Sequence, residues 1–280
     1  MLLVDSDQHR SWRAQLALEF ERREARTVLA ARRHDGPLVV QKPLYPEGDE
    51  VCHVIVVHPP AGIVGGDELE IRARVGASAG TLLTTPGAAK WYRSAGAWAR
   101  QHNEFDIGAA ATLEWLPQET IVYDGALAQL RTEVSLEDDA CFIGWEVFCL
   151  GRTGSGERFT KGEWCARMSL RRDGKPLWLE RAQLQGGDAM LTSPAVMAGQ
   201  PVCGTLLAAS PRVDETLRDL CRAPRPLSGA GAVTLLPGLL VGRYLGASSE
   251  AAKHYFVQLW RVVRPAVSGR EAVEPRIWRT

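Results

Sequence analysis

This sequence predicts a single, mainly β domain with one or two helices near its C-terminal end. Three observations predict it. Apolar and polar residues alternate strictly over several stretches, turn dipeptides recur between those stretches, and few segments repeat apolar residues at helical spacing. The 280 residues carry 45% apolar side chains, enough to bury a sizeable core. Length alone allows one large domain or two ordinary ones. No linker, low-complexity segment or repeat of fixed period interrupts the chain, so residues 12–280 are read as one domain behind a flexible N-terminus of residues 1–11.

The strands follow in order. Ala14, Leu16, Leu18 and Phe20 alternate with Arg13, Gln15 and Glu19, the pattern of a half-buried strand. Thr27–Ala31 and Leu38–Gln41 flank RRHDGP, where Asp35-Gly36 predicts the turn of a hairpin. Val51–Val57 is a β-branched run suited to burial on both faces. In DELEIRARV (67–75), Leu69, Ile71, Ala73 and Val75 share one face, and Glu68, Glu70, Arg72 and Arg74 the other. Trp164–Leu170 and Pro176–Leu184 bracket the turn Asp173-Gly174, and Ala232–Leu236 and Leu239–Leu245 bracket Pro237-Gly238. Val213–Cys221 predicts a short helix. Ser248 to Val263 predicts a longer one, capped by Ser248 or Ser249, striped by Ala252, Tyr255, Phe256, Leu259, Val262 and Val263, and stopped at Arg264-Pro265.

Composition narrows the function classes. Lys+Arg and Asp+Glu are both 33, so the chain lacks the basic excess of a nucleic-acid binder. Zero formal charge protects poorly against association, which fits life in complexes. The start MLLVDSDQHR is no secretory signal, and no run of about 18 apolar residues predicts a membrane span. The six cysteines form no C-x-x-C pair and read as reduced, mostly buried thiols of a cytoplasmic protein.

The familiar catalytic patterns fail in context. Gly174-Lys175 sits in a hairpin, and GRTGSGERF (151–159) opens no helix, so neither is a phosphate loop. GASAG (76–80) fits the nucleophile-elbow pattern at Ser78, yet a strand rather than a helix follows it. The histidines lack metal spacing; His58 ends a strand before two prolines and reads as structural, its ring bonded to a loop carbonyl. The carboxylates carry more. Glu146 interrupts the apolar run CFIGWEVFCL (141–150), and Glu180 interrupts PLWLERAQL (176–184). Asp67 and Glu68 follow Gly65-Gly66 at a strand start, and Glu114, Glu119 and Asp124 fall within LEWLPQETIVYDGA (113–126). An acid inside an apolar run is costly to bury unless paired, bonded or wetted, so each is either a solvent-facing residue or part of a polar interior. Converging carboxylates would hold a divalent metal loosely.

Four stretches, HPPAGIVGGDELE (58–70), TTPGAAKWYRS (84–94), LEWLPQETIVYDGA (113–126) and CLGRTGSGERF (149–159), strongly resemble the urease accessory protein family UreD, also called UreH. QKPLYPEG (41–48) and PRIWRT (275–280) are similar too. The resemblance implies a β-rich body with strands wound in a helical, stacked manner. It also implies a maturation factor without enzymatic activity, which binds apo-urease and UreF, engages UreG through UreF, and delivers Ni²⁺ through an internal passage, with no tightly bound cofactor. In that light HPPAGIVGGD is a shaped turn, and Asp67, Glu68, Glu146 and Glu180 are expected to line the polar route of the metal. Lys90, Trp91, Tyr92 and Arg93 are expected to anchor a partner. The competing readings are a bridging protein that handles no metal and a β-rich hydrolase using Glu114 and Glu119, or Ser78.

Overall fold

The chain winds as a stack of coils. The computed structural model describes residues 11–279; the expected flexible N-terminus falls outside the described residues except for Ser11. The strands are β1 (Arg13–Arg23), β2 (Arg26–Asp35), β3 (Val39–Val40), β4 (Val51–Val57), β5 (Glu68–Val75), β6 (Gly80–Thr84), β7 (Ala89–Trp91), β8 (Ala99–Ile107) and β9 (Thr112–Leu116). They continue as β10 (Thr120–Val122), β11 (Leu127–Leu136), β12 (Cys141–Leu150), β13 (Glu163–Arg172), β14 (Lys175–Gln185), β15 (Val202–Ala209), β16 (Ala230–Leu236) and β17 (Leu239–Gly246). Helix α1 (Glu215–Cys221) precedes β16, and α2 (Ser249–Ser268) follows β17.

Successive strands alternate between two sheets. β1, β5, β8, β11 and β13 lie parallel in a seven-stranded sheet ordered β14-β13-β11-β8-β5-β1-β2. β4, β6, β9 and β12 lie parallel in the facing sheet, with β15, β17 and β16 added antiparallel. β7, β10 and the end of β12 form a short third face. The body is therefore a β-solenoid, and one coil takes about 30 residues: Gly80 lies beside Thr112, and Ala89 beside Thr120. A fixed period was not expected from the sequence. The repeat is one of backbone path, and its side-chain trace is short. The turns Gly76–Ala79, Gly108–Ala111 and Glu137–Ala140 close alike, each by a bond from the fourth residue's N–H to the first residue's carbonyl, at 3.1, 3.0 and 2.9 Å. Ala79, Ala111 and Ala140 stack buried beneath them. Ser78 belongs to the first of these turns at φ 59°, a corner residue rather than an elbow nucleophile.

One apolar cluster fills the space between the sheets; a second lies between the outer face of the β12 sheet and the two helices. That sheet is covered on both sides, which is why β4 and β12 read as continuous apolar runs. The other sheet exposes its outer face, so β1 and β5 alternate cleanly. The hairpins at Asp173-Gly174 and Pro237-Gly238 form as expected. The one predicted at Asp35-Gly36 does not. β2 runs through Arg32 to Asp35 and pairs back on β1 through the turn Glu24-Ala25, while β3 pairs with β4. Gly36, at φ 68°, instead passes the β1 backbone so closely that a Cβ would lie 2.4 Å from the Arg13 carbonyl.

The longer helix carries the predicted cap, Ser248 accepting from the Ala251 N–H at 3.1 Å; α1 carries one that was not expected, Asp214 accepting from the Leu217 N–H at 2.7 Å. The stop predicted at Arg264-Pro265 is overrun, and α2 ends at Ser268 before Gly269, in left-handed conformation. Arg264 is held helical from below by ion pairs to Glu114 (2.9 Å) and Glu47 (2.8 Å), and Pro265 falls in the last turn, where it removes a single helical hydrogen bond.

Candidate functional site

Glu146 stands on the face of β12 that looks between the sheets. The period of two puts Gly144 and Phe148 on its side, and turns Trp145 and Val147 toward α2. Its antiparallel partner on β15 is Thr205, whose own partner on β17 is Arg243. Arg243 donates to the Thr205 hydroxyl at 2.7 Å, pairs with the Glu180 carboxylate from β14, and places its guanidinium 5.3 Å from the centre of the Trp178 ring. Glu146, Glu180, Thr205 and Arg243 line a cavity of about 330 Å³ whose walls include Trp115, Cys203 and Met168. The Glu146 carboxylate accepts from the Thr132 hydroxyl at 2.7 Å, and Thr132 in turn accepts from Asn103 Nδ2 at 3.2 Å. Burial pushes the Glu146 carboxyl up to about 7; the Thr132 bond opposes the rise and the Glu180 charge adds to it. Burial also pushes the Cys203 thiol up to about 12, so it stays protonated at neutral pH.

Glu146 also borders a second cavity of about 170 Å³, lined by His58, Trp91, Gln101, Asn103 and Gln118. Glu146 and Trp115 thus line both spaces. Among the described residues no group of three or more His, Cys, Asp and Glu side chains is arranged to hold a metal ion.

The four carboxylates expected to share a route divide into two pairs. Glu146 and Glu180 line the larger cavity. Asp67 and Glu68 line neither cavity. Asp67 is 1% exposed, and its oxygens accept the backbone N–H groups of Trp12 (2.8 Å) and Val64 (2.9 Å), which closes the HPPAGIVGGD loop. Glu68 lies across from it on the pleat and pairs with Arg13 at 3.2 Å on the charged outer face. The glycines of that loop permit close approach of the next coil. A Cβ on Gly62 would lie 1.9 Å from the Tyr92 ring, and one on Gly65 would lie 2.4 Å from the Ser94 hydroxyl.

The expected partner anchor is split as well. Trp91 is a core residue, 1% exposed, set edge-on against Trp164 at 5.7 Å. Tyr92 leans on Tyr123 at 4.9 Å, Lys90 borders the second cavity, and only Arg93 is exposed. His58 lacks the expected bond: its Nε2 is buried without a hydrogen-bond partner. Glu114 is occupied beneath α2 by Arg264 and by the Trp260 indole N–H at 2.6 Å, which removes it from any hydrolytic pair with Glu119. Asp124 caps a loop, accepting from the Thr160 and Lys161 N–H groups at 2.6 and 2.8 Å. Sequence reasoning passed over Asn103, Thr132 and Arg243. Asn103, with Gln101, breaks the inward apolar face of β8 between Ala99 and Phe105, and Thr132 breaks that of β11 between Leu130 and Val134. That polar break was the available signal.

The six cysteines are free thiols, and no described helix is long and apolar enough to cross a membrane. A family model described as UreD urease accessory protein matches residues 13–279. Curated proteins named urease accessory protein UreD are similar over nearly the whole chain. The one from Azoarcus sp. (strain BH72) is 57% identical over 269 residues, covering 96% of this chain and 94% of its own. That from Dechloromonas aromatica (strain RCB) is 54% identical over 274 residues, covering 96% and 95%. That from Pseudomonas aeruginosa (strain PAO1) is 50% identical over 279 residues, covering 99% of each. A family match from β1 to the C-terminal segment, on a helically wound β body, means that this chain belongs to the UreD family of urease accessory proteins.

Proposed function

We propose that this chain is a cytoplasmic scaffold of urease maturation that bridges apo-urease and UreF, with UreG engaged through UreF, and passes Ni²⁺ through its interior at Glu146 and Glu180. It acts by binding and conducting, without catalysis of its own. The observation that carries the reading is the position of Glu146 between two adjoining cavities. Six waters at their liquid volume occupy roughly 180 Å³, so the larger cavity has room for a hydrated divalent cation. The absence of a three-ligand cluster among the described residues favours passage over storage. Asp67 and Glu68 serve the loop and the outer face at their positions and are left out of the inner route. Lys90, Tyr92 and Arg93 remain the proposed partner surface, with Trp91 as its buried root.

The test is co-expression with urease and its accessory proteins at limiting Ni²⁺, comparing the native chain with Glu146→Gln, Glu180→Gln and the double variant. The expected result is severalfold less nickel in urease with the complex still assembled. Full nickel content from the double variant would refute conduction and leave only the bridging role. Lys90→Glu with Arg93→Glu should lower co-purification of UreF or urease; unchanged yields would remove that surface.

A further inference from the structure

The two large sheets end in four edge strands, and one of them is unguarded. In the seven-stranded sheet, β2 and β14 lie at the edges. β2 carries Arg32 and Arg33 and bulges where its pairing with β1 shifts, Glu19 facing Ala31 and Phe20 facing Leu29. β14 carries Lys175, Pro176 and Arg181 and shifts in the same way beside Leu170. In the facing sheet, β3 is only two residues long. Charge, proline, bulges and shortness are the devices that keep an edge from pairing with other chains. β16, the remaining edge, has none of them. Its seven residues, AGAVTLL, hold no charge and no proline, and it pairs with β17 from Ala230 to Leu236 without a shift. Among the described residues nothing bonds its backbone from the side away from β17. Alternate residues of an antiparallel strand turn both backbone groups away from their partner, so this edge offers a row of free N–H and C=O groups.

The surroundings of that edge say what covers it. A depression of about 290 Å³ runs beside β16, lined by Arg222, Arg225, Gly231, Ala232, Val233 and Tyr255. Arg222 reaches Asp219 at 3.5 Å, whereas the exposed Arg225 has no ion-pair partner among the described residues. Val233 and Leu235 pack with the apolar cluster beneath α2 and carry it to the edge. A strand added there sets apolar side chains beside Val233 and Leu235 and a carboxylate beside Arg222 and Arg225. A second copy of β16 supplies no carboxylate. We propose that β16 is a docking edge for an extended segment of another polypeptide of the urease assembly, one with acidic and apolar residues, which joins the sheet as a further strand. The proposal rests on the bridging reading above and gives it a surface built from residues other than Lys90, Tyr92 and Arg93.

The test uses the chain co-expressed with urease and its accessory proteins. Thr234 is exposed on β16, so Thr234→p-benzoylphenylalanine places a photo-cross-linker on the edge. Illumination should join it to one acidic and apolar segment of a partner, identified by mass spectrometry of the joined peptide. Arg225→Glu should lower that yield severalfold, and Arg225→Lys should keep it. Thr234→Lys puts a charge on the edge and should lower co-purification of the same partner severalfold. No adduct, an adduct to a second copy of this chain, or a yield unmoved by Arg225→Glu overturns the proposal. So does native co-purification of every partner by Thr234→Lys combined with Arg225→Glu. If Thr234→Lys fails to fold, the cross-linking yield of Arg225→Glu decides. Partners that still co-purify after such a failure leave the bridging reading standing, whereas a native chain that captures none of them sinks both.

Discussion

Arg264 shows how a residue's surroundings decide its worth. It is 0% exposed and binds Glu114 and Glu47, and Glu47 in turn takes His53 at 2.5 Å. Arg131, by contrast, bonds Glu133 at 2.7 Å on the open outer face. Removing one partner of a buried pair strands a charge, so Arg264→Met should cost about 3–5 kcal/mol. Arg131→Met should cost about 1 kcal/mol or less, because water screens that pair. Urea denaturation of the two variants checks the contrast, and Glu114→Gln added to Arg264→Met should recover part of the larger loss. Glu146 carries a pH dependence of its own. Its folded value of about 7 lies above the ordinary 4.5, so between those values the folded chain holds a proton that the unfolded chain has released. Its contribution therefore falls as pH rises through that window and is flat above it, by at most about 3 kcal/mol. Urea midpoints at about pH 5 and about pH 8 should show this loss in the native chain, and Glu146→Gln should lack it.

At the scale of the element, α2 lies on a sheet whose glycines make room for its large side chains. A Cβ on Gly204 would lie 2.7 Å from Phe256, one on Gly231 2.7 Å from Tyr255, and one on Gly242 2.7 Å from Leu259. Gly204→Ala should therefore lift the helix locally and cost about 1–3 kcal/mol by overpacking. Phe256→Leu in the same chain should return part of that, which thermal melting of the pair would show. The stripe that seats these rings was legible from spacing alone. The helix end was not, because the restriction on a residue before proline was overridden by two carboxylates contributed from β9 and from the loop before β4. The misplaced hairpin has a similar origin. Asp-Gly is a strong turn signal, but a ten-residue β2 can complete its pairing only if the chain reverses at Glu24-Ala25.

At the scale of the molecule, coils stacked in parallel leave a sheet edge at each end, and these edges are the risk of the design. The β2 edge carries Arg32, Arg33 and His34, all exposed, with Arg32 set opposite Leu18. Charges at such a position oppose edge-to-edge pairing. Arg32→Thr with Arg33→Thr should promote self-association of the complex, read as a larger mass by light scattering at matched concentration. An unchanged mass would mean that this edge is guarded by other means.

The sequence by itself determined the alternating faces of β1 and β5, the hairpins at Asp173-Gly174 and Pro237-Gly238, the Ser248 cap of the long helix, and, through the glycine- and proline-rich stretches of the UreD resemblance, what family the chain belongs to. Alternation and cap chemistry are local, so they survive in a string of letters. The tertiary structure alone decided that the coils return about every 30 residues, that Asp67 closes a loop, and that Glu146 looks into two cavities. Those outcomes depend on which strand lies beside which. A carboxylate in an apolar run reads the same whether its neighbour across the sheets is another side chain or an open space, and only the packed coils distinguish the two.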